Sequence, residues 1–408
     1  MVCWLHGEQL RRSGLCSLQS ENLDQLALVS AIANGHLNVA KFLDELGYSF
    51  VQTDALRAAE SAKSGDLELI EWLHGRTWTT QAHGWMNVAV ASGHLHIVKW
   101  VHENLPSDIC STDAMDQAAA NGHLNVVRWL HTHRTEGCTQ MAINHAASEG
   151  HLDIVKWLHA NRTEGCSTVA MDQAACSGHL EVVQWLHEHR TEGCTTLAME
   201  GAARAGHLDV IKWLHEHRSE GCSHFAMNAA AMNGHFEIVK WLREHRREGC
   251  TTAAMDYAAS RGELEIVQWL HEHGSVGCTV AAMNMAAAGD HLHVIKWLHE
   301  NRTEGCSTLA MDHANSLEML QWLHEHRTEG CTNLAMESAA RLGNFKKLLF
   351  LRNHGLDRYT AKVAVDAFQH NHFEIFQWLR SNYHDVVPTR TFSATTGLQA
   401  LFLQFEGL

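Results

Sequence analysis

The chain has 408 residues, of which 45% are hydrophobic, and a formal net charge of −15 at pH 7. This acidic balance, without a sustained run of Lys or Arg, argues against a surface that binds nucleic-acid phosphates. No stretch approaches the roughly 18 consecutive apolar residues of a membrane span, and residues 1–21 lack the apolar core of a secretory signal. We therefore expect a protein of the cytoplasm or the nucleus.

The chain begins with a segment that matches no repeat and continues as an array of similar copies. Residues 1–21 form the separate segment, and residues 22–383 hold about thirteen copies. Gly35, Gly65 and Gly93 mark early copies at uneven spacings, and from Gly122 the motif returns every 28 residues. A fixed period of this size is typical of stacked supersecondary units, that is, of a solenoid.

The copy at residues 166–193 shows two apolar stripes at helical spacing, separated by Gly178. The residues of the first stripe are Ala170, Met171, Ala174 and Ala175, and those of the second are Leu180, Val183 and Leu186. Each copy is therefore predicted to be two short helices. Ser167 is a predicted cap of the first helix, and Asp172 adds an acid near its start. Gly178 and Gly193 are predicted to end the first helix and to turn the chain into the next copy.

The last copies depart from this pattern. The copy at residues 311–322 lacks three residues near the end of its first helix, so we expect a local distortion there. A cluster of basic residues follows, which we interpret as the capping end of the array, facing water, or alternatively as a docking patch. It consists of Lys346, Lys347, Arg352 and Arg358. Residues 384–408 form a C-terminal tail that we expect to cap the last repeat.

The segment A-A-C-S-G-H-L-E-V-V-Q-W-L-H at residues 174–187 resembles the two-helix portion of ankyrin repeats. Its W-L-H form is similar to the short ankyrin repeats of oomycete and giant-virus proteins. The resemblance implies an all-α fold, a right-handed ankyrin-like solenoid of helix-turn-helix repeats. Each copy is shorter than the roughly 33 residues of the family pattern, and the missing residues fall in the link between copies. Short or absent β-hairpins are therefore expected.

Cysteine and tryptophan recur at fixed positions. Nine cysteines open successive copies, and we predict buried free thiols. Packed helices lie about 8–10 Å apart, whereas a disulfide needs Cα atoms within roughly 7 Å. The recurring tryptophans of the second helix are interpreted as core, with a ligand-stacking groove as the alternative. They are Trp100, Trp129, Trp157, Trp185, Trp213, Trp241, Trp269 and Trp297.

Three positions of the first helix vary between copies while the positions around them stay constant. Their i, i+3, i+4 spacing places them on one helix face, and in the ankyrin resemblance the first helix lines the concave side. Varied chemistry on a constant scaffold is typical of a protein-binding surface, and drift at exposed positions is the alternative. The predicted partner-binding residues are Gln117, His145, Gln173, Arg204, Met232, Tyr257, Arg261, Met285 and His313.

The turn between copies is nearly constant. Arg-Thr-Glu-Gly stands at 134–137, 162–165, 190–193, 302–305 and 327–330. Because such a uniform turn cannot encode the shape of one partner, we interpret Arg190 and Glu192 as part of a charge ladder between neighbouring turns.

The 34 histidines and the recurring cysteines raise the hypothesis of a zinc site. His187 and His189 lie two residues apart, so on a helix their rings project about 160° apart, and several copies lack one of them. We therefore predict no metal and no cofactor, and expect most histidines to bond the backbone of adjoining turns. The sequence has no Gly-rich phosphate loop, nucleophile elbow or H-E-x-x-H, so no enzyme is expected.

The sequence thus predicts a monomeric, non-enzymatic scaffold that binds a protein partner along its concave face, and neither nucleic acid nor a membrane. The alternative is a structural repeat protein that assembles with itself. In a variant of that alternative, metal or protons regulate the His-rich surface, since histidines near pH 6 would take up charge that offsets the acidic balance.

Overall fold

A computed structural model describes residues 20–47, 63–75, 84–105, 111–274 and 276–383. Within these ranges the protein forms 25 helices and no strand. The all-α class is therefore confirmed, and the described links between repeats contain no β-hairpin. The N-terminal residues 1–19, the predicted capping tail at 384–408 and Cys110 lie outside the described residues.

Twelve helix pairs are complete in the described residues, and one second helix, α3, stands without a described partner. The first helices of the pairs are α1 Ser20–Ala33, α4 Trp85–Ala91, α6 Thr112–Ala120, α8 Met141–Ser148, α10 Thr168–Cys176, α12 Thr196–Ala205, α14 His224–Met232, α16 Thr252–Arg261, α18 Val280–Ala288, α20 Thr308–His313, α22 Asn333–Leu342 and α24 Ala361–Gln369. The second helices are α2 Leu37–Glu45, α3 Leu67–His74, α5 Leu95–Asn104, α7 Leu124–His133, α9 Leu152–Asn161, α11 Leu180–His189, α13 Leu208–His217, α15 Phe236–His245, α17 Leu264–His273, α19 Leu292–Asn301, α21 Leu317–His326, α23 Phe345–Asn353 and α25 Phe373–Asn382.

The predicted start and stop signals act as expected in the pair α10 and α11. The Ser167 side chain accepts a hydrogen bond from the backbone N–H of Val169, which satisfies one of the free donors at the helix start. Gly178 takes a left-handed conformation, with φ of 79°, between the two helices. The second helix ends at Arg190, whose backbone is extended with φ of −126°.

The core forms between the two helices of each pair and between first helices of neighbouring repeats. Ala174 and Ala175 of α10, and Val183 of α11, are fully buried. Helices α4, α6, α8 and α10 pack in series, and so do α14, α16, α18, α20, α22 and α24. The small alanines allow the first helices to approach closely, since the distance between helix axes depends on the side chains at the contact.

The chain divides into two compact units. The first consists of the described residues of Met1–Ala202 together with Asp209–Gly221, and the second of Ala203–Leu208 together with the described residues of Cys222–Leu408. Among the described helices, none combines the length and the apolar character that crossing a bilayer requires.

The three-residue deletion shortens α20, which ends at His313, and a buried lysine of the next repeat completes the local structure. Lys347 Nζ donates to the carbonyl oxygens of Asp312 and Ala314, both at 2.7 Å, and lies 3.3 Å from Ser338 Oγ. The sequence analysis placed Lys347 in a basic cap facing water, and this is wrong because its side chain is fully buried. The ammonium takes the place of the backbone N–H groups that the deletion removed.

Candidate partner-binding surface

The predicted partner-binding residues lie on the first helices and reach the protein surface. In the first unit, Gln117, His145 and Gln173 are exposed on the neighbouring helices α6, α8 and α10. In the second unit, three of the predicted residues are exposed, namely Tyr257, Arg261 and His313. Two others, Met232 and Met285, are half-buried. These five residues lie on helices α14, α16, α18 and α20. Arg204, on α12, is exposed. Within each unit the serial packing of first helices therefore brings the predicted residues into a row.

Sequence reasoning missed a second set of surface residues, near the start of the first helices. They are apolar and two residues beyond the capping Ser or Thr, and we call them the apolar row. Its members and exposed fractions are Met141 49%, Val169 43%, Leu197 60%, Phe225 61%, Leu309 42% and Leu334 41%. The sequence signal was their recurrence directly after the cap, one helix position before the buried Ala of the core stripe.

The apolar row and the predicted residues share one face of each first helix. Val169 precedes Gln173 by four residues, and Met141 precedes His145 by four, so each pair is separated by about one helical turn. Within each unit, apolar and polar side chains thus alternate along the helix on the exposed face.

A buried polar side chain in each first helix fixes the start of the next one. Asp172 is 6% exposed and accepts hydrogen bonds from the Thr195 backbone N–H at 2.7 Å and the Thr195 hydroxyl at 2.9 Å. Burial raises the pKa of Asp172, and the two hydrogen bonds from Thr195 oppose that shift. Asn144 makes the equivalent contacts with Ser167, donating through Nδ2 at 3.0 Å. From the sequence, Asp172 was predicted only as an acid near a helix start, and its contact with Thr195 was not predicted.

The constant turn links repeats through arginine, but the ion pair lies within one turn. Arg190 donates to Glu192, two residues away, through both Nε and a terminal nitrogen. Its other terminal nitrogen lies 3.3 Å from His159 Nδ1 of the preceding repeat. A guanidinium only donates, so Nδ1 accepts and the ring proton is on Nε2. The predicted charge ladder between turns is therefore wrong for the Arg190 and Glu192 pair, and arginine connects the repeats through histidine.

The charges of this turn act on the carboxylate and on the nearby thiol. Burial alone would raise the pKa of Glu192, but the hydrogen bonds from Arg190 and from backbone amides lower it to about 2. Burial and the negative charge of Glu192 together raise the pKa of the Cys166 thiol to about 11, although Arg190 opposes the shift. The prediction of free cysteines is confirmed for the described ones, and Cys166 is only 5% exposed.

A histidine at the start of most second helices packs on a glycine of the preceding repeat. A Cβ atom added at Gly150 would lie 2.6 Å from the His179 ring. His235 Nε2 lies 3.1 Å from the Arg204 carbonyl oxygen and donates to it, because a carbonyl only accepts. These contacts confirm that such histidines bond the backbone of adjoining turns.

Most of the recurring tryptophans of the second helices bridge repeats and are half-buried. The Trp185 ring stacks on His189 with centroids 4.5 Å apart, and His159 of the preceding repeat meets it edge-on at 5.2 Å. Of the eight tryptophans predicted as core, Trp129 is buried at 8% exposure and the other seven are half-buried. The prediction is therefore wrong for those seven.

The described histidines, cysteines and acids form no group of three or more that is placed to hold a metal ion. In the zinc hypothesis, His187 and His189 would share one ion. His187 Nδ1 instead accepts from Arg218 at 3.3 Å, and His189 Nδ1 donates to the Trp185 carbonyl at 3.0 Å. Each ring thus uses a nitrogen in packing between or within repeats.

Comparisons with known proteins identify one family. A profile of ankyrin repeats in three copies matches residues 115–196, 143–224, 199–280 and 226–312. A second profile, of ankyrin repeats in many copies, matches residues 86–131. Together the matches extend from residue 86 to residue 312, which is more than half of the chain. No curated protein matches it.

Proposed function

Because this chain belongs to the ankyrin-repeat family, whose repeats generally form protein–protein interaction domains and are typically non-catalytic, we propose that it is a non-enzymatic scaffold that binds a protein partner. The proposed binding face is the exposed side of the first helices, the side that the sequence resemblance assigns to the concave surface. It carries the varied residues and the apolar row.

One observation supports this face above the others. Leu197 and Phe225 are 60% and 61% exposed, although every apolar position used in repeat packing is buried or half-buried. Large apolar side chains held in water on a helix surface are a common feature of protein-binding sites. Tyr257, with 40% exposure, and Arg261, one turn later, are residue types that often anchor interfaces.

The packing between repeats supports the same proposal because its main contacts lie elsewhere on the helices and turns. The Asp172 to Thr195 contact, the arginine turns and the tryptophan stacks all use other faces of the helices or the turns. A binding surface on a rigid scaffold loses little conformational entropy on association.

We also assign the repeats to the short W-L-H type. In the repeat of α11 the three residues have separate structural roles. Trp185 stacks on His189, Leu186 is 1% exposed, and His187 accepts from Arg218 of the next repeat. Because each of the three residues contributes to packing, the triplet is expected to recur in copies that stack in the same way.

The proposal is tested by capturing partners from lysate of the source organism with the native chain and with a triple variant, Tyr257→Ala, Arg261→Ala and Met285→Ala. We expect the variant to lose a protein that the native chain captures. A matched control changes three exposed residues on second helices of the same and the preceding repeats, Glu244→Ala, Glu265→Ala and Lys296→Ala, and should capture it normally.

Equal thermal stability of the three proteins is required for this comparison. Unchanged capture by the triple variant would contradict the proposed face. Oligomers that form with increasing concentration, in place of capture of another protein, would favour the self-assembling structural protein.

A further inference from the structure

One junction between repeats departs from the contact that most described junctions share. At six junctions a histidine of the second helix accepts from an arginine of the next turn, at 3.2–3.4 Å. The pairs are His102–Arg134, His131–Arg162, His159–Arg190, His187–Arg218, His271–Arg302 and His299–Arg327. At the junction between α15 and α17 the histidine is replaced by Arg243 and the arginine by Gly274.

The double replacement leaves a cavity of about 170 Å³ where the arginine lies in other repeats. Buried Met227 and Leu270 line it together with Gly249 and Cys250. A Cβ atom added at Gly249 would meet no atom within 4 Å, whereas at Gly165 it would lie 2.8 Å from an arginine nitrogen. Cys250 is half-buried, whereas the other described cysteines at this repeat position are buried.

The rim of the cavity carries two exposed arginines, Arg243 and Arg247, beside the carboxylate of Glu248. Glu248 accepts from Arg246 and from the backbone N–H of Arg247, so its own charge is already satisfied. The side chains of Arg243 and Arg247 form no hydrogen bond or ion pair with any residue that the structure describes. The cavity therefore combines a small apolar surface, from Met227 and Leu270, with a mainly polar lining whose two guanidinium groups form no ion pair within the described chain.

We propose that this cavity binds an anionic group, a carboxylate or a phosphate, carried on a body about the size of one ring. A cavity of roughly 150 Å³ is known to hold a benzene molecule, so the volume suits a single ring or one side chain. Arg243 and Arg247 supply the planar donors that match carboxylate and phosphate oxygens. The source of the group is either a small molecule or an acidic side chain of a protein. The site uses none of the predicted partner-binding residues, so it does not depend on the proposed scaffold function.

The test measures the rate at which iodoacetamide alkylates Cys250, read by peptide mass spectrometry on the full-length protein. Phenyl phosphate and benzoate are the anionic probes, and benzyl alcohol is the uncharged probe. We expect the anions to slow the alkylation of Cys250 in a saturable manner. Cys176, also half-buried, is the internal control and should react at an unchanged rate.

Two single variants distinguish binding in the cavity from unspecific binding of the anion to surface arginines. Arg243→Gln should raise the dissociation constant of phenyl phosphate about tenfold or more, because a hydrogen bond to a charged group is lost. Arg128→Gln removes an exposed arginine from α7, in another repeat, and should change nothing.

The double variant Arg243→His with Gly274→Arg restores the common contact, fills the cavity and should abolish protection. In the present backbone a Cβ on Gly274 would lie 2.2 Å from the Leu270 carbonyl oxygen, so φ of residue 274 must change from −87° toward the −126° of Arg190. If the double variant does not fold, the comparison of Arg243→Gln with Arg128→Gln decides the question.

Each outcome has one meaning. Protection by the free anions supports a small-molecule site, whereas protection only by a capped peptide bearing a phosphorylated or glutamyl residue assigns the cavity to a protein side chain. Absence of protection by every anionic probe, equal protection by benzyl alcohol, or an unchanged dissociation constant in Arg243→Gln would overturn the proposal.

Discussion

Single buried polar residues determine how one repeat meets the next. Asp172 is the clearest case, because its two carboxylate oxygens accept the backbone and hydroxyl protons of Thr195. Asp pairs with Thr in four of the described junctions, and Asn pairs with Ser in two and with Thr in one, so a Thr cap accepts either partner.

Replacing Asp172 with alanine should destabilise the protein by about 2–3 kcal/mol, because both donors of the half-buried Thr195 lose their acceptor. Urea unfolding followed by circular dichroism measures this change. The exposed Glu188→Ala, on the second helix of the same repeat, is the control and should stay within about 0.5 kcal/mol of the native chain. Equal stability of Asp172→Ala and the control would show that the contact does not hold the repeats together.

Lys347 gives the second prediction at this scale. Lys347→Met should cost about 2–4 kcal/mol, since the carbonyl oxygens of Asp312 and Ala314 lose their buried donor. The neighbouring Lys346 is exposed, so Lys346→Met should be nearly neutral. Thermal and urea unfolding of the two variants provides the comparison, and similar effects of both would contradict the role given to Lys347.

The lowered pKa values of the glutamates in the turns predict how the stability of the fold depends on pH. The pKa of Glu192 and that of Glu329 are lowered to about 2 from an unfolded value near 4.5. A carboxyl group with a lowered folded pKa stabilises the fold above its unfolded pKa and loses that contribution as the pH falls toward the folded value. Stability should therefore decrease between about pH 4.5 and pH 2. The raised pKa of Asp172 would increase stability as the pH falls, but this single contribution is opposed by those of several glutamates whose pKa is lowered.

Glu192→Gln should make this loss of stability with acid shallower, and urea unfolding at a series of pH values between 5 and 2 would show it. The exposed Glu188→Gln is the control. An unchanged pH dependence in Glu192→Gln would mean that the arginine contact does not stabilise the ionised carboxylate.

At the scale of turns and short helices, substituting a glycine between repeats can destabilise the fold in two ways, by backbone strain and by a clash with the next repeat. Gly165 and Gly249 both have left-handed backbones, with φ of 72° and 65°. Only Gly165 is covered by the arginine of the following turn. The comparison therefore separates backbone strain from contact with a neighbouring repeat.

Gly249→Ala should cost about 1–2 kcal/mol, the strain of a left-handed alanine. Gly165→Ala should cost about 1 kcal/mol more, because the new methyl group displaces Arg190 from His159 and Glu192. The midpoints of urea unfolding give both values. If the two variants were equally stable, the arginine would contribute nothing at the turn.

The first helices show which parts of an element follow from sequence. Their alanines, caps and glycines were predicted, since each is a local signal with a fixed position in the copy. The exposure of Leu197 and Phe225 was not, because an apolar residue beside a core stripe has the same periodicity whether it faces a neighbour or water.

At the scale of the whole molecule, stability is distributed over many similar interfaces, and the thiols report on it. Cys138, Cys166 and Cys194 lie in the first unit, and Cys278 and Cys306 in the second. All five are buried, and their pKa is raised to about 11, so they should resist alkylation near pH 8.

In increasing urea, the thiols within one unit should become reactive at one common concentration, because each repeat is stabilised by its neighbours. Alkylation with iodoacetamide at each urea concentration, resolved by peptide mass spectrometry, tests this. Separate midpoints for Cys138, Cys166 and Cys194 would show that the repeats of the first unit unfold independently.

The sequence by itself determined the repeat, the helix pairs and the family, because each depends on local signals that return at a fixed spacing. The tertiary structure alone decided which face each side chain uses between repeats. In the structure most of the recurring tryptophans are half-buried, and Lys347 is buried beneath a shortened helix. The arginine of a turn contacts a histidine about 31 residues earlier, as Arg190 contacts His159. The structure also showed that the paired replacement at Arg243 and Gly274 opens a cavity. Contacts between residues so far apart in the chain depend on how closely two helices approach, and local sequence carries no information about that distance.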